Sequence, residues 1–339
     1  MKTTFRRIAA AAAALGLAAS LAACVGQGQP QGTAEPAGGP ITIGLTYTPN
    51  IQFAAFYLAE EQGYFDEAGV SVELRHHGQS EELFGALESG EEDLVYAGGD
   101  EIVQARSAGV GVTSVAQLYR QYPAALIVPA DSPIQTAADL KGRKVGTPGP
   151  YGQTHAALLA MLAGAGLSEQ DVTVEHIGYT QQAALTGGKV DGVMGYSNND
   201  AVQLEQSGFP VRVISAFPDG QERLVGPALG AGDALVTERP EDVAKIIGAV
   251  MRATEELIAD PSAAIDAAGA HIPTLTTEAA RANALATLEA TVPLLGEPRA
   301  EPSHDPATWD AMVAFMGEQG LLAGEVPAAA DCYTNELLP

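Results

Sequence analysis

The chain has 339 residues and is strongly acidic, with 42 Asp and Glu against 17 Lys and Arg and a formal net charge of −25 at pH 7. A surface of that sign repels nucleic acid and anionic lipid headgroups, so neither is an expected partner, and it disfavours a strongly anionic ligand unless a local site overrides the field. With two cysteines, Cys24 and Cys332, there is no cysteine cluster to bind metal; if Cys24 is acylated, no internal disulfide can form and stability must come from burial.

The first residues read as an export signal. Lys2, Arg6 and Arg7 precede an uncharged run from Ile8 to Ala23, which ends in Leu21-Ala22-Ala23-Cys24. The run is shorter than the roughly 20 apolar residues a spanning helix needs. Cysteine directly after Leu-Ala-Ala looks like a bacterial lipobox, in which Cys24 is acylated and becomes the mature N-terminus; the alternative is an ordinary signal with Cys24 there by chance. Each buried acyl methylene contributes about 0.8 kcal/mol, so two or more chains make a stable anchor. The expectation is therefore a signal peptide over 1–23 and a protein tethered to the membrane outside the cytoplasm. Residues 24–40, rich in Gly, Gln, Pro, Ala and Thr, read as a flexible tether.

From Ile41 the pattern alternates between strands and helices. Ile41 to Tyr47 reads as a buried strand, and Asn50 is placed to cap a helix over Ile51–Gln62 that Gly63 ends. Val70 to Leu74 alternates as a strand should, completing a βαβ unit and implying a parallel sheet. A helix over Ser80–Ser89, strand Asp93–Tyr96, helix Asp100–Ala108 and strands Val112–Tyr119 and Ala124–Val128 follow. Beyond Asp131-Ser132-Pro133 comes a second, smaller α/β unit. Its strands are expected over Lys144–Gly146, Val172–Ile177, Val190–Met194 and Val211–Ile214, and its helices over Gln153–Ala165, near Gln181 and over Asp200–Gln206. From Glu238 onward the chain reads as nearly all helical, with breaks at Pro261, Pro273 and Pro293 and around 297–306. Two α/β lobes with a crossing chain and C-terminal helices suit a hinged binding protein: lobe 1 over 41–128 plus 220–339, lobe 2 over 129–219. Ligands of open α/β sheets bind beyond the carboxyl ends of the strands.

Candidate residues cluster at those ends. Tyr47, Asn50 and Gln52 could present an aromatic face and amide edges to a planar ligand, whereas Phe56 and Tyr57 read as core. The loop Gly146-Thr147-Pro148-Gly149-Pro150-Tyr151-Gly152-Gln153-Thr154 is not a dinucleotide fingerprint, because its prolines remove donors a pyrophosphate cradle would use. It suits a neutral or weakly polar ligand, or is a structural turn. Gly195-Tyr196-Ser197-Asn198-Asn199-Asp200 is more polar than a helix cap requires. Gly98-Gly99-Asp100-Glu101 is a similar junction, with Asp100 either at the site or a plain N-cap. Arg120 is a possible anion contact. Metalloprotease and serine-hydrolase signatures are missing, and His76-His77 reads as a solvated strand end rather than a metal ligand. No catalytic residue, metal or cofactor is expected, and Cys332 reads as incidental.

Tyr47-x-Pro49-Asn50, Phe56-Tyr57-Leu58-Ala59 and Gly63-Tyr64-Phe65-x-Glu67-x-Gly69-Val70-x-Val72 resemble the N-terminal signature of one group of ABC-transporter solute-binding proteins. That branch is related to thiamine-pyrimidine-precursor, riboflavin and alkanesulfonate binders. Asp139 to Gly146, Ile177-Gly178-Tyr179-Thr180-Gln181, Gly187 to Asp191 and Gly195-Tyr196-x-Asn198-Asn199 extend the similarity. The resemblance implies a bilobal type II periplasmic-binding fold in a monomer that hands a small molecule to an ABC permease. Position by position it implies that Tyr47, Asn50, Gly149, Tyr151, Gly152, Tyr196 and Asn198 approach a heteroaromatic ring. Two alternatives stand beside a vitamin or precursor of thiamine-pyrimidine or riboflavin type. One is a taurine-like sulfonate held by Arg120. The other is an extracytoplasmic enzyme on the same fold, a reading opposed by the missing cysteine cluster of the related pyrimidine-making enzyme.

Overall fold

The structure, a computed structural model, describes residues 39–78 and 81–339. The signal expected over 1–23, Cys24 and the tether up to residue 38 lie outside the described residues. Ten strands are present among the described residues: β1 (Ile41–Leu45), β2 (Val72–His76), β3 (Leu94–Gly98), β4 (Val112–Gln117), β5 (Ala124–Pro129), β6 (Lys144–Thr147), β7 (Thr173–His176), β8 (Gly192–Tyr196), β9 (Val211–Ser215) and β10 (Pro227–Gly232). They form two five-stranded sheets, ordered β2-β1-β3-β10-β4 and β7-β6-β8-β5-β9. In each sheet the first three strands are parallel, and one antiparallel strand sits between the third and the fifth. The antiparallel member comes from the far side of the chain: β5 precedes the rest of the second sheet and β10 follows all of it.

This topology corrects the expected boundary. Ala124–Val128, assigned from sequence to lobe 1, pairs with β8 and β9 in the second sheet. The apolar run was read correctly as a strand; its partners lie 60 to 90 residues further on, beyond what local pattern reports. The C-terminal helices also divide. Pro240–Ala259 and Ala263–His271 pack on the helix Ala54–Glu61 of the first sheet. Trp309, Met312 and Met316 of the helix Pro306–Glu318 instead share a core with Leu126, Leu158 and Met161 of the second.

Strand β10 was missed by the sequence reading. Pro-Ala-Leu-Gly-Ala-Gly has none of the branched or aromatic residues that mark strands, yet its first five residues are buried. Small side chains are required there: a Cβ on Gly230 would press within 3.0–3.2 Å of Val112, Ile102 and Val95. Two helices also differ from expectation. The start of the helix expected from Ser80 lies outside the described residues; from Glu81 on, the helix spans Gly85–Ser89, and the Glu81 carboxylate is turned back to Arg75 at 2.6 Å and to the Gly78 N–H at 3.0 Å. Pro293 does not break its helix, Glu278–Leu295, which ends two residues later and so gives up only a last-turn hydrogen bond.

Asn50 caps as expected. It is extended (φ −144°, ψ 149°) and its Oδ1 accepts the Gln52 N–H at 3.0 Å, opening a 3₁₀ turn over Ile51–Phe53 that leads into the helix Ala54–Glu61. Phe56 and Tyr57 are core, as read from sequence.

At the middle of β1, Gly44 lies under the buried Glu92 carboxylate, which takes hydrogen bonds from Arg75 Nη1 (2.6 Å) and faces His77 Nε2 (2.8 Å). A methyl group on Gly44 would collide with that carboxylate. Gly44→Ala should therefore lower stability by about 2–4 kcal/mol, the range for overpacking and a disturbed buried ion pair. Gly164→Ala, at a helical position facing open space, should be neutral or slightly stabilising. Urea midpoints of the two variants check this; equal midpoints would remove the constraint at Gly44.

Candidate functional site

Because β1, β3, β6 and β8 run parallel within their sheets, the segments leaving their carboxyl ends converge on one inter-lobe cavity of about 390 Å³. Thr46, Tyr47, Asn50, Gln52 and Phe53 come from the β1 end and Tyr96, Ala97, Gly98 and Glu101 from the β3 end. The second lobe contributes Pro148, Tyr151, Gly152, Gln153 and Thr154 after β6, Tyr179 and Gln181 after β7, and Tyr196, Asn199, Asp200 and Gln203 after β8. Seven of the lining side chains are aromatic, and Lys, Arg, His and Cys are absent among them. Tyr47 and Tyr179 meet across the lobes, with ring centroids 5.9 Å apart at 52°. Phe53 and Tyr96 pack edge to face at 5.6 Å, a geometry that favours fixed ring positions.

Two helices, Gly99–Ser107 and Gly152–Gly164, start at the cavity, so free N–H groups point into it. Glu101 Oε2 takes the Gly98 N–H at 2.8 Å. Glu101 Oε1 lies towards the other lobe, 3.5 Å from where a Cβ on Gly152 would stand, and Gly152 itself has φ +73°. Behind it, Asp100 is 2 % exposed; its Oδ2 accepts from the Tyr122 hydroxyl at 2.6 Å and its Oδ1 from the Glu101 N–H at 3.0 Å. The Tyr122 hydroxyl also lies 3.0 Å from the Gln153 carbonyl, and Gln153 Oε1 accepts from Tyr196 at 2.6 Å. Gln153 Nε2 is close enough to Asp100 to oppose its proton uptake, yet makes no well-directed hydrogen bond. Burial pushes both carboxyls up, and the Asp100 charge raises Glu101 further. Both causes favour the protonated form of Glu101, in which its carboxyl is a neutral hydrogen-bond donor in the cavity.

Of the residues expected at the site, Tyr47, Asn50, Gln52, Tyr151, Gly152 and Tyr196 line the cavity. Four expected positions are corrected. Asp100 lies behind the wall, and the acid at the surface is its neighbour Glu101. Arg120 turns away: its Nη1 donates to the Ser303 carbonyl at 2.9 Å beside the C-terminal helices. Gly149 clears space for the Tyr151 ring, into which a side chain there would run. Asn198 is 1 % exposed and donates to Thr291 Oγ1 at 2.8 Å, tying the second lobe to the helix Glu278–Leu295. Its neighbours Asn199 and Asp200 face the cavity instead. Sequence reasoning missed Glu101, Gln153 and Gln203 as lining residues. The signal for Glu101 was present, since an acid three residues after a strand-end glycine is the capping-box spacing.

Neither histidine of the His76-His77 pair is a solvated strand end. His76 Nδ1 lies 3.1 Å from the Tyr47 carbonyl and Nε2 3.0 Å from the Tyr57 hydroxyl, while His77 is 2 % exposed against Glu92. Two groups among the described residues have metal-ligating spacing, Glu60/Glu61/His271 and His77/Glu81/Glu92. Neither group lines the cavity, and the Arg75 guanidinium already pairs with both carboxylates of the second. Burial pushes the Cys332 thiol up to about 11, which removes it as a nucleophile. A second depression of about 450 Å³ adjoins the cavity and shares Asn50, Asn199 and Gln203 with it. No helix among the described residues is long and apolar enough to cross a membrane.

Two mixed sheets, two crossings and a cavity at the strand ends define a bilobal binding-protein fold. It is the fold of the alkanesulfonate-binding protein SsuA from Xanthomonas axonopodis pv. citri (TM-score 0.68, 22 % identity, 89 % of this chain and 99 % of that one). Residues 50–264 match the family described as NMT1/THI5 like, and the chain belongs to that family. The riboflavin-binding protein RibY of Chloroflexus aurantiacus is 32 % identical over 91 % of this chain and 89 % of its own. The formylaminopyrimidine-binding protein of Halalkalibacterium halodurans is 26 % identical over 67 % and 68 %. The 4-amino-5-hydroxymethyl-2-methylpyrimidine phosphate synthase of Aspergillus parasiticus is 27 % identical over 63 % and 65 %, so similarity extends to an enzyme as well as to binding proteins.

The raised Glu101 carboxyl has a pH signature. A folded value above the unfolded one means that the unfolded chain releases its proton first as pH rises, so stability falls from the ordinary carboxylate range upward through neutrality. Glu101→Gln should flatten that fall, its urea midpoint changing less than the wild-type one between about pH 5 and about pH 9. An unchanged slope would mean that the carboxyl is solvated.

Proposed function

We propose that this chain is the extracytoplasmic solute-binding protein of an ABC importer, and that it captures a small, flat heteroaromatic vitamin or precursor of riboflavin or thiamine-pyrimidine type. One observation carries the reading. Tyr151 and Tyr179 are 55 % and 58 % exposed, two of the few large apolar side chains left in solvent, and both border a cavity with no cationic side chain. Exposed rings facing Tyr47 and Phe53 across a cleft are a stacking surface awaiting an aromatic partner. The names of the riboflavin- and formylaminopyrimidine-binding relatives agree with this class of ligand. A sulfonate would need a cation in the cleft, and Arg120 is engaged elsewhere.

As a mechanism, the ring docks at the helix N-termini among the tyrosines, and lobes built on the two sheets close about the segments 118–123 and 216–226. Closure excludes water and presents a matched surface to the permease. A micromolar dissociation constant corresponds to about −8 kcal/mol, within reach of one stacked ring and several buried hydrogen bonds. The protein acts as a monomer held at the membrane by acylated Cys24, so Cys24→Ser should move it from the membrane fraction to the soluble one. Persistence in the membrane fraction would refute the anchor.

A thermal-shift panel of riboflavin, hydroxymethyl- and formylaminopyrimidines, thiamine, taurine and alkanesulfonates tests the ligand class. At about 100 times its dissociation constant a true ligand stabilises the protein by about 2.7 kcal/mol. The expected result is a shift with a flavin or pyrimidine alone, lost in a Tyr47→Ala, Tyr179→Ala double variant. A shift with taurine alone, or an undiminished shift in the double variant, would overturn the reading.

A further inference from the structure

The depression beside the aromatic cavity differs from it in chemistry. Its fifteen lining residues include six carboxamides and three hydroxyls, and none is ionisable. In a chain carrying 42 acidic residues, a neutral inter-lobe surface of that size is conspicuous. Both lobes build it: Asn50 and Asn283 stand on one side, and Gln182, Gln203 and Gln206 on the other. Asn50, Asn199 and Gln203 line both spaces, so a passage from one to the other runs past these three side chains. Asn50 spends only its Oδ1 on the helix cap, which leaves its N–H₂ for a guest. Gln203 Nε2 donates to Asn199 Oδ1 at 2.7 Å, leaving the Gln203 carbonyl as an acceptor at the passage.

We propose that the ligand is a flat ring carrying a flexible, uncharged, polyhydroxylated chain, which leaves the aromatic cavity through this passage and lies along the amide-lined annexe. The inference rests on the heteroaromatic reading above and adds to it a second subsite and a rule of exclusion. Amides supply donors and acceptors together, as a run of hydroxyls requires, since each hydroxyl both gives and takes a hydrogen bond. A phosphorylated chain is rejected. Its charge would enter a space without a cation, inside a strongly negative protein, and find nothing to replace its water. The bare pyrimidine fills only the aromatic part.

The probes are riboflavin, lumichrome (the same ring without its polyol) and flavin mononucleotide (the same polyol phosphorylated), with a hydroxymethylpyrimidine as the bare ring. Titration calorimetry on the wild-type protein and on a Gln206→Leu, Asn283→Leu double variant reads out the annexe, since both residues line it and neither lines the aromatic cavity. Riboflavin should bind at least about tenfold tighter than lumichrome, which two or three hydrogen bonds of modest net value would supply. Flavin mononucleotide should bind more weakly than riboflavin, and the double variant should bring riboflavin to the lumichrome level while leaving lumichrome unchanged. Equal wild-type affinities for riboflavin and lumichrome would overturn the annexe and leave the heteroaromatic reading standing, as would binding of the bare pyrimidine alone. Flavin mononucleotide binding as tightly as riboflavin would overturn the exclusion of charge. If no aromatic probe binds, both the annexe and the reading beneath it fall.

Discussion

The register of the two antiparallel strands fixes where everything else must lie. Parallel strands of both sheets end at the cavity, so a strand running the other way must begin there. β5 starts at Ala124 opposite Tyr196, and β10 starts at Pro227 opposite Gly98. The two connecting segments, 118–123 and 216–226, are therefore forced to the floor of the cleft. That is why Tyr119 and Pro227 line the cavity and why Tyr122 can reach Asp100 of one lobe and Gln153 of the other. A connection at the far ends of the sheets would leave the cleft floor open to water and place no residue in reach of both lobes.

The floor is also where the fold accepts its largest electrostatic cost. Asp100 and Glu101 are adjacent carboxyls with no cation among their hydrogen-bond partners; what holds them is the Tyr122 hydroxyl and two backbone N–H groups. Two charges so placed would repel and would each be poorly solvated, so the pair holds one proton at neutral pH. A protonated Glu101 donates where an ionised one only accepts, and it does so beside the Gly152 turn of the opposite lobe. By contrast the buried Glu92 is held by Arg75 and His77 well away from the cleft, where a charge pair serves packing alone.

Sequence made the architecture legible because each strand-to-helix junction carries its own chemistry. The Asn50 cap, the glycine stop at Gly63 and the loop around Tyr151 were read from residue type and spacing, and the first and last of these line the cavity. What was not legible depended on direction or on distant partners. At Asp100-Glu101 and Asn198-Asn199, adjacent polar residues point opposite ways, and only the path of the backbone decides which one faces the ligand. Arg120 looked available as a cation because nothing local foretells a carbonyl at Ser303, 183 residues away. β10 escaped notice because its burial between β3 and β4 demands glycine and alanine, residues that local propensity assigns to turns and helices rather than strands.

The charge of the whole molecule and the absence of cationic side chains from its cleft lead to one kinetic conclusion. A field as negative as this one steers cations and repels anions at a distance, but it acts little on an uncharged ring. Association with such a ligand then gains nothing from electrostatics, so differences in affinity among related rings must appear mainly in how slowly each leaves. Slow departure requires contacts that form fully only when both lobes engage the ligand. The tyrosines are distributed for that purpose. Tyr47 and Tyr96 belong to one lobe and Tyr151, Tyr179 and Tyr196 to the other, so a ring resting on either lobe alone meets half of its partners. An aromatic ligand that bridges them couples its own burial to closure, and the exposed faces of Tyr151 and Tyr179 are the surface whose removal from water drives that step.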